Sequence, residues 1–222
     1  ASGSFEEIAA WVNERDGRLN IYYTPNEVRP DFSGPKPAKS DIVAIRAIFA
    51  DADPAPGDLE VERANVLERV QGVRAFADAD LVDSGGGYQL IAPLSVKLPH
   101  DDVTCKWAES YGRGLAVQLG SDAVQNIDRL MRLPGPMNIP SPSKLKKGRI
   151  ARRACMVRAH SRVFARAEIE FAVTPKAHPG EEDKNPRIGE VMEDLRRAGY
   201  SDADHYDDLP AHLRHKFDAL RE

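Results

Sequence analysis

IVAIRAIFADADP, residues 42–54, is the stretch whose reading decides the fold. Val43, Ile45, Ile48 and Phe49 carry the β-branched and aromatic bias of a buried strand, and Pro54 ends it. Asp51 and Asp53 stand two residues apart at its end. Residues i and i+2 of a strand share a face. Both carboxylates are therefore expected to leave the sheet side by side. Two negative charges so close are costly unless a cation joins them. A hard divalent ion such as Mg²⁺ or Mn²⁺ takes oxygen donors of this kind. The competing reading is a turn with two solvated aspartates, since Asp and Pro both favour turns.

On either side of this strand the pattern is mixed. Residues 5–16 place Phe5, Ile8, Ala9, Trp11 and Val12 at helical spacing, with Gly17 closing the helix; Trp11 and Trp107 read as core residues. Ala1–Ser4 reads as a non-native leader and is set aside. Residues 20–26 read as a strand entering a proline turn, and 29–40 as a loop. A helix is expected over 58–71, short strands at Leu81-Val82 and Tyr88–Ala92, and a helix over 101–119 with Gly112 and Gly114 in its middle. Residues 121–140 are turn-rich, 143–160 basic and 161–174 strand-like. The expected class is α+β or mixed α/β, without βαβ periodicity. A domain over 5–174 is followed by a linker, 175–186, and a short helical element, 187–222, whose pattern breaks off within a helix at Leu220-Arg-Glu222, as in a piece of a longer protein.

Composition narrows the function classes. At 41% hydrophobic and 30% charged, the 222 residues suit a globular domain, and no apolar run reaches membrane-spanning length. Two cysteines, Cys105 and Cys155, are too few and too far apart for a zinc cluster, and a reduced cytoplasmic protein is expected. The net charge of -4 hides an asymmetry: residues 129–166 hold eleven Arg or Lys and no acid. Such a block suggests a polyanion at one face, or else a solvated surface. Asp78, Asp80 and Asp83 read as surface loop acids.

Two further segments complete a candidate site. Ser84-Gly85-Gly86-Gly87-Tyr88-Gln89 lies between two expected strands. Three glycines permit positive φ and let backbone N–H groups converge on an anion such as phosphate; a tight hairpin turn is the alternative. No Gly-Lys-Ser/Thr follows, so it is not a P-loop. In NIDRLMRLPGPMN, residues 126–138, Arg129 and Arg132 offer planar forks that suit phosphate, or else pair with acids such as Asp128. The turn at Pro134-Gly135 can present Asn138 toward a sugar or base.

In this order, NIYYTPN (20–26), KPAKSDI (36–42), IFADADP (48–54), SGGGYQ (84–89) and NIDRLMRLPGPMNIP (126–140) resemble the archaeo-eukaryotic primase superfamily, in particular primase-polymerases of plasmids, phages and integrated elements. The resemblance covers about residues 18–150. It implies a core with an antiparallel, RRM-like sheet that carries the metal acids and is flanked by helices. It implies Asp51 and Asp53 as the first metal motif, with a third carboxylate from Asp122 or, as the alternative, Asp128. Ser84 to Gln89 corresponds to the second motif, at the phosphates of the incoming nucleotide. Relatives often carry His at the Gln89 position and Thr at the Pro136 position. Glutamine can donate a hydrogen bond but carries no charge.

The implied reaction is template-dependent nucleotidyl transfer, by a primase, a DNA polymerase or both, in replication of a mobile element. Two Mg²⁺ or Mn²⁺ ions about 3.5–4 Å apart stabilise attacking and leaving oxygens, and amides and arginines stabilise the leaving pyrophosphate. Lys39 or Lys36 can add a phosphate contact. Lys144, Lys146, Lys147, Arg149, Arg152 and Arg153 can hold the backbone of a DNA template or primer. Tyr22, Tyr23 and Tyr88 can stack on a base or ribose, or serve as strand core. The partners expected are DNA, dNTP or NTP, and in some relatives a helicase, but no membrane. A non-catalytic single-stranded DNA-binding module and a metal-dependent nuclease are the alternatives.

Overall fold

The computed structural model describes residues 4–121, 125–146, 148–159 and 162–176. Asp122, Lys147, the linker beyond residue 176 and the expected helical element 187–222 lie outside them. In chain order the elements are α1 (Phe5–Arg15), β1 (Tyr22–Tyr23), β2 (Glu27–Val28), β3 (Ile42–Ala52), α2 (Leu59–Gly72), β4 (Asp80–Asp83), β5 (Tyr88–Pro99), α3 (Asp102–Gln118), β6 (Met131–Arg132), β7 (Met137–Asn138), α4 (Pro142–Leu145), β8 (Arg152–Arg153), β9 (Cys155–Arg158) and α5 (Arg166–Ala172). The class is α+β, as expected. A five-stranded sheet in the order β2-β3-β5-β4-β9 is antiparallel throughout. Two small antiparallel ribbons, β1-β6 and β7-β8, accompany it.

The long pairing of β3 with β5 shifts register between Ile45 and Ala47. The buried side chain of Asn26 sits at this break. Its Oδ1 accepts the N–H of Arg46 at 2.8 Å and of Ala47 at 3.3 Å, and its Nδ2 donates to the Ile127 carbonyl at 2.9 Å. Successive amides of a flat strand point to opposite edges, so one acceptor can serve both only where the strand is bulged. The shift separates the two faces. Ile42, Ile45, Ile48, Ala50 and Ala52 belong to the main core with Val66 and Val70 of α2, Trp107, Tyr111 and Leu115 of α3, and Ile169 of α5. Ala47 and Phe49 join Val82, Ile91, Met131 and Tyr23 in a second cluster. Asp51 follows the alternation of Ala47 and Phe49, away from the main core.

Helix α3 is continuous through both glycines. Asp101 caps its first turn by accepting the Thr104 N–H at 2.7 Å. A Cβ on Gly112 would lie 2.7 Å from Gln125 Cβ, and one on Gly114 would overlap the Thr174 carbonyl. These glycines permit close approach of chain to helix; they do not break it.

Three expectations are corrected. Residues 166–172 form a helix, not a strand. Glu168 there accepts the Ala165 N–H at 2.6 Å, and Arg166 pairs with Glu170 at i, i+4 and 2.7 Å. Strand β9 lies in the basic stretch 143–160, to which the sequence assigns no element, at the sheet edge, where mostly exposed side chains leave no alternation to read. Helix α1 buries none of its residues: Phe5 is 82% and Trp11 38% exposed, and the Arg15 guanidinium covers the Trp11 ring at 4.5 Å. Ser4, set aside as leader, forms a capping box with Glu7. Cys105 and Cys155 are both free thiols.

Gly114→Ala tests the close approach. On an open helix face this change gains about 1 kcal/mol; overlap with Thr174 is expected to reverse the sign and cost about 2 kcal/mol, read as a lower urea midpoint.

Candidate active site

Asp51 stands directly across from Gln89 in the β3-β5 ladder. Gln89 is 3% exposed and uses both ends of its amide: Nε2 lies 3.5 Å from Asp51 Oδ1, and Oε1 accepts the Arg132 N–H at 3.1 Å. Arg129 Nη2 lies 3.5 Å from Asp51 Oδ2. Burial, and next the charge of Asp53, hold the Asp51 carboxyl above the usual carboxylate range; Arg129 and Gln89 offset this only in part. Asp53 lies against the glycine turn, where a Cβ on Gly87 would come within 3.0 Å of its Oδ1 and would overlap the Ala52 carbonyl.

These two acids are oxygen donors whose mutual repulsion Arg129 and Gln89 relieve only in part, and that donor set fits a hard divalent cation. Among the described residues no group of three His, Cys, Asp or Glu comes together to hold a metal, so Asp128 does not gather with Asp51 and Asp53 in this arrangement. Asp128 Oδ1 is buried without a hydrogen-bond partner. The other expected third ligand, Asp122, lies outside the described residues.

The Ser84–Gly87 segment closes the β4-β5 hairpin. Ser84 N–H donates to the Gly87 carbonyl at 2.9 Å. Ser84 Oγ donates to the same carbonyl at 3.0 Å and accepts the N–H of Gly87 at 3.0 Å and of Gly86 at 3.3 Å. Gly85 adopts φ +78° and donates its N–H to Asp83 Oδ1 at 2.7 Å. The amides expected to cradle a phosphate thus have partners inside the protein, and the hairpin alternative describes them. Ser84 is 7% exposed, and a buried hydroxyl must be satisfied locally.

Arg132 is the unusual group. Its side chain is buried, with the residue 6% exposed. Nη1 donates to Asn20 Oδ1 at 2.8 Å, and Nη2 donates to Tyr22 Oη and Asn138 Oδ1, both at 2.9 Å. The guanidinium covers the Tyr22 ring at 4.2 Å. All three partners are neutral, and Nε is buried without a partner. Burial pushes the Arg132 pKa below its usual value. A buried cation held by neutral groups is short of an anion. Asn138 is committed at both ends, since its Nδ2 donates to the Ser84 carbonyl at 2.7 Å. It acts as a brace between Arg132 and the turn instead of a free ligand group.

The NIYYTPN pattern, residues 20–26, implies no role for Asn20 or Asn26. Asn20 ties Arg132 to Ile139, whose N–H its Oδ1 accepts at 2.7 Å. Polar side chains in a strand-and-turn pattern gave no sign of these distant partners. Tyr22 is half-exposed and touches Arg132, whereas Tyr88 is buried at 7% exposure. The Tyr23 phenol packs in the second cluster, and burial pushes its pKa up to about 12.

The basic block is largely paired off. Arg152 bonds Glu60, Arg153 bonds Asp16 at 2.9 Å, Arg162 bonds Glu168 at 2.5 Å, and Arg149 donates to the Gly86 carbonyl at 2.6 Å. Lys144 and Lys146 are exposed, with no ion pair among the described residues. Lys39 pairs with Glu109 at 2.5 Å, so its expected phosphate contact is taken up by a carboxylate; Lys36 is exposed. Among the described residues no helix is long and apolar enough to cross a membrane.

The chain matches no protein-family model and no curated protein. Among solved structures it is similar to the AEP domain of the primase-polymerase (PrimPol) of cyanophage S-2L, with a TM-score of 0.48, 16% identity and 75% of each chain covered.

The raised Asp51 pKa has a signed consequence. An acid whose folded pKa lies above its unfolded value costs the fold stability progressively as pH rises past the unfolded pKa, and in full above the folded pKa. Asp51→Asn is therefore expected to raise metal-free thermal stability at pH 7 by about 1 kcal/mol. The gain should shrink as pH falls into the acid range, where the carboxyl takes up a proton in the folded and the unfolded chain alike. Parallel melts at neutral and acid pH check it.

Proposed function

We propose that this chain is a template-dependent nucleotidyltransferase, a DNA primase or DNA polymerase that transfers nucleotides from dNTP or NTP. One observation carries the reading. The Gln89 side chain links Asp51 to the Arg132 backbone, so an acid pair short of cations adjoins a buried cation short of an anion. A nucleoside triphosphate with divalent ions supplies both deficits at once. Its resemblance to the primase superfamily rests on the same residues.

Asp51 and Asp53, with Asp122 as the proposed third ligand, would hold Mg²⁺ or Mn²⁺. Bound there, the ions would activate the attacking hydroxyl and neutralise the triphosphate. Arg132 binds phosphate oxygens, and its cage of Asn20, Tyr22 and Asn138 fixes the guanidinium before the nucleotide arrives. Arg129, already at the acid pair, is placed to follow the phosphate charge. The glycine turn supplies shape, bringing Gly87 against Asp53 with no side chain between them. Lys144 and Lys146 are the exposed cations left for a DNA template or primer strand. The paired-off arginines weigh against a module that only binds single-stranded DNA, and a nuclease would leave the Arg132 cage without a nucleotide to hold.

The test is incorporation of labelled dNTP or NTP on a DNA template with Mn²⁺, with and without a primer. Asp51→Ala and Asp53→Ala are expected to lose at least about 100-fold in rate while DNA binding survives. Normal extension by the double variant would refute the reading, and degradation of labelled DNA without nucleotide would replace it with the nuclease. Arg132→Met is expected to weaken dNTP binding about 10-fold or more, measured by titration with Mn²⁺ present.

A further inference from the structure

Arg63, on α2, is 5% exposed, yet it carries a charge. Its Nη2 donates to Asp83 Oδ2 at 2.6 Å, and its guanidinium lies over the Tyr88 ring at 5.1 Å. The second oxygen of Asp83 accepts the Gly85 N–H at 2.7 Å. Asp83, which reads from sequence as a surface loop acid, is therefore engaged on both oxygens. A buried arginine–carboxylate pair is a poor stabiliser, since apolar side chains of similar volume often hold a fold equally well. Its placement is more telling than its energy. Asp83 is the last residue of β4 and Tyr88 the first of β5, so Arg63 grips both ends of the Ser84–Gly87 turn.

That turn bears on the proposed site at two points. The Ser84 carbonyl accepts from Asn138 at 2.7 Å, and Asn138 accepts from Arg132 at 2.9 Å. Gly87 packs against Asp53. Movement of the turn therefore shifts the brace on the buried cation and the wall beside the acid.

We propose that the buried Arg63–Asp83 pair is a positioning device for the phosphate-binding group Arg132, acting through the glycine turn and Asn138. This rests on the nucleotidyltransferase reading. Neither Arg63 nor Asp83 touches the nucleotide; each acts by holding the Gly85 amide and the ends of the hairpin in place. The chain of contacts runs from α2, behind the sheet, to the side where Asp51 and Asp53 emerge.

Arg63→Met and Arg63→Lys, in the full chain, test it by nucleotide kinetics and by amide hydrogen exchange at Gly85–Gly87. Arg63→Met is expected to fold, to raise KM for dNTP about 10-fold with kcat within about 3-fold, and to speed exchange at Gly85. Arg63→Lys, which keeps a charge for Asp83, is expected to recover part of the KM. Unchanged KM and unchanged exchange in Arg63→Met would overturn the proposal. So would a loss of kcat and stability together with KM unmoved, the mark of a merely structural pair. If Arg63→Met does not fold, Asp83→Asn, which keeps an acceptor for Gly85, takes the same measurements with the same expected and overturning results. If the wild-type chain neither binds nor incorporates nucleotide, the nucleotidyltransferase reading fails, and with it the assignment of the pair to a phosphate site. Exchange at Gly85 then still reports separately whether Arg63 holds the turn.

Discussion

The side chain of Asn26 is the constraint on which the site depends. One carboxamide oxygen accepts two consecutive amides, from Arg46 and Ala47, and so holds a break in the register of β3. Without that break, the alternation of Ile45, which faces the main core, would carry Ala47, Phe49 and Asp51 onto that same face. A slip of one residue exchanges the faces of every side chain that follows. With the break in place, Ile48, Ala50 and Ala52 meet the helices, and Asp51 lies on the other face with Gln89. The same carboxamide donates to Ile127, which anchors the segment that delivers Arg129 and Arg132. One buried amide thus places both the acids and the start of the arginine segment.

The site is built from mismatched charges that the protein cancels only in part, through Arg129 at Asp51. Asp51 and Asp53 repel one another, and Arg132 is enclosed by amide and phenol oxygens without a carboxylate partner among the described residues. Elsewhere the protein pairs charge readily, as at Arg63 with Asp83 or Arg153 with Asp16. Leaving a buried arginine unpaired costs stability, and such costs are commonly tolerated where a ligand will supply the missing charge. The contrast between these two treatments of arginine within one protein is what supports the phosphate proposed at Arg132.

Sequence clustering of charge was a poor guide to charged surface. Eleven basic residues without an acid between 129 and 166 suggest a broad cationic face. In space, Arg152, Arg153, Arg162, Arg166 and Arg129 reach acids from α1, α2, α5 and β3 or their ends. Glu168 and Glu170 lie just beyond the block, but Asp51, Glu60 and Asp16 lie 78 to 137 residues from the arginines they meet. A pattern read along one dimension cannot register partners that only folding brings near.

What the sequence determined by itself is local. The strand at 42–52 ending in Asp51 and Asp53, helices α1, α2 and α3, and the hairpin at Ser84–Gly87 follow from periodicity, glycine and proline, because those properties act within a few residues. The same logic misjudged α5, where helix propensity outweighed the β-branched and aromatic residues nearby, and it misjudged Trp11, whose helical spacing implied a core that no neighbouring element supplies among the described residues. Only the tertiary structure decided that the turn amides bond inward to Ser84 and Asp83, that Asn138 ties Arg132 to the Ser84 carbonyl, and that Lys39 meets Glu109. The last two are choices of partner across tens of residues, and the first follows the burial of Ser84. Such a choice is settled by which groups are buried together, and burial belongs to the assembled sheet and helices instead of to any segment of the chain.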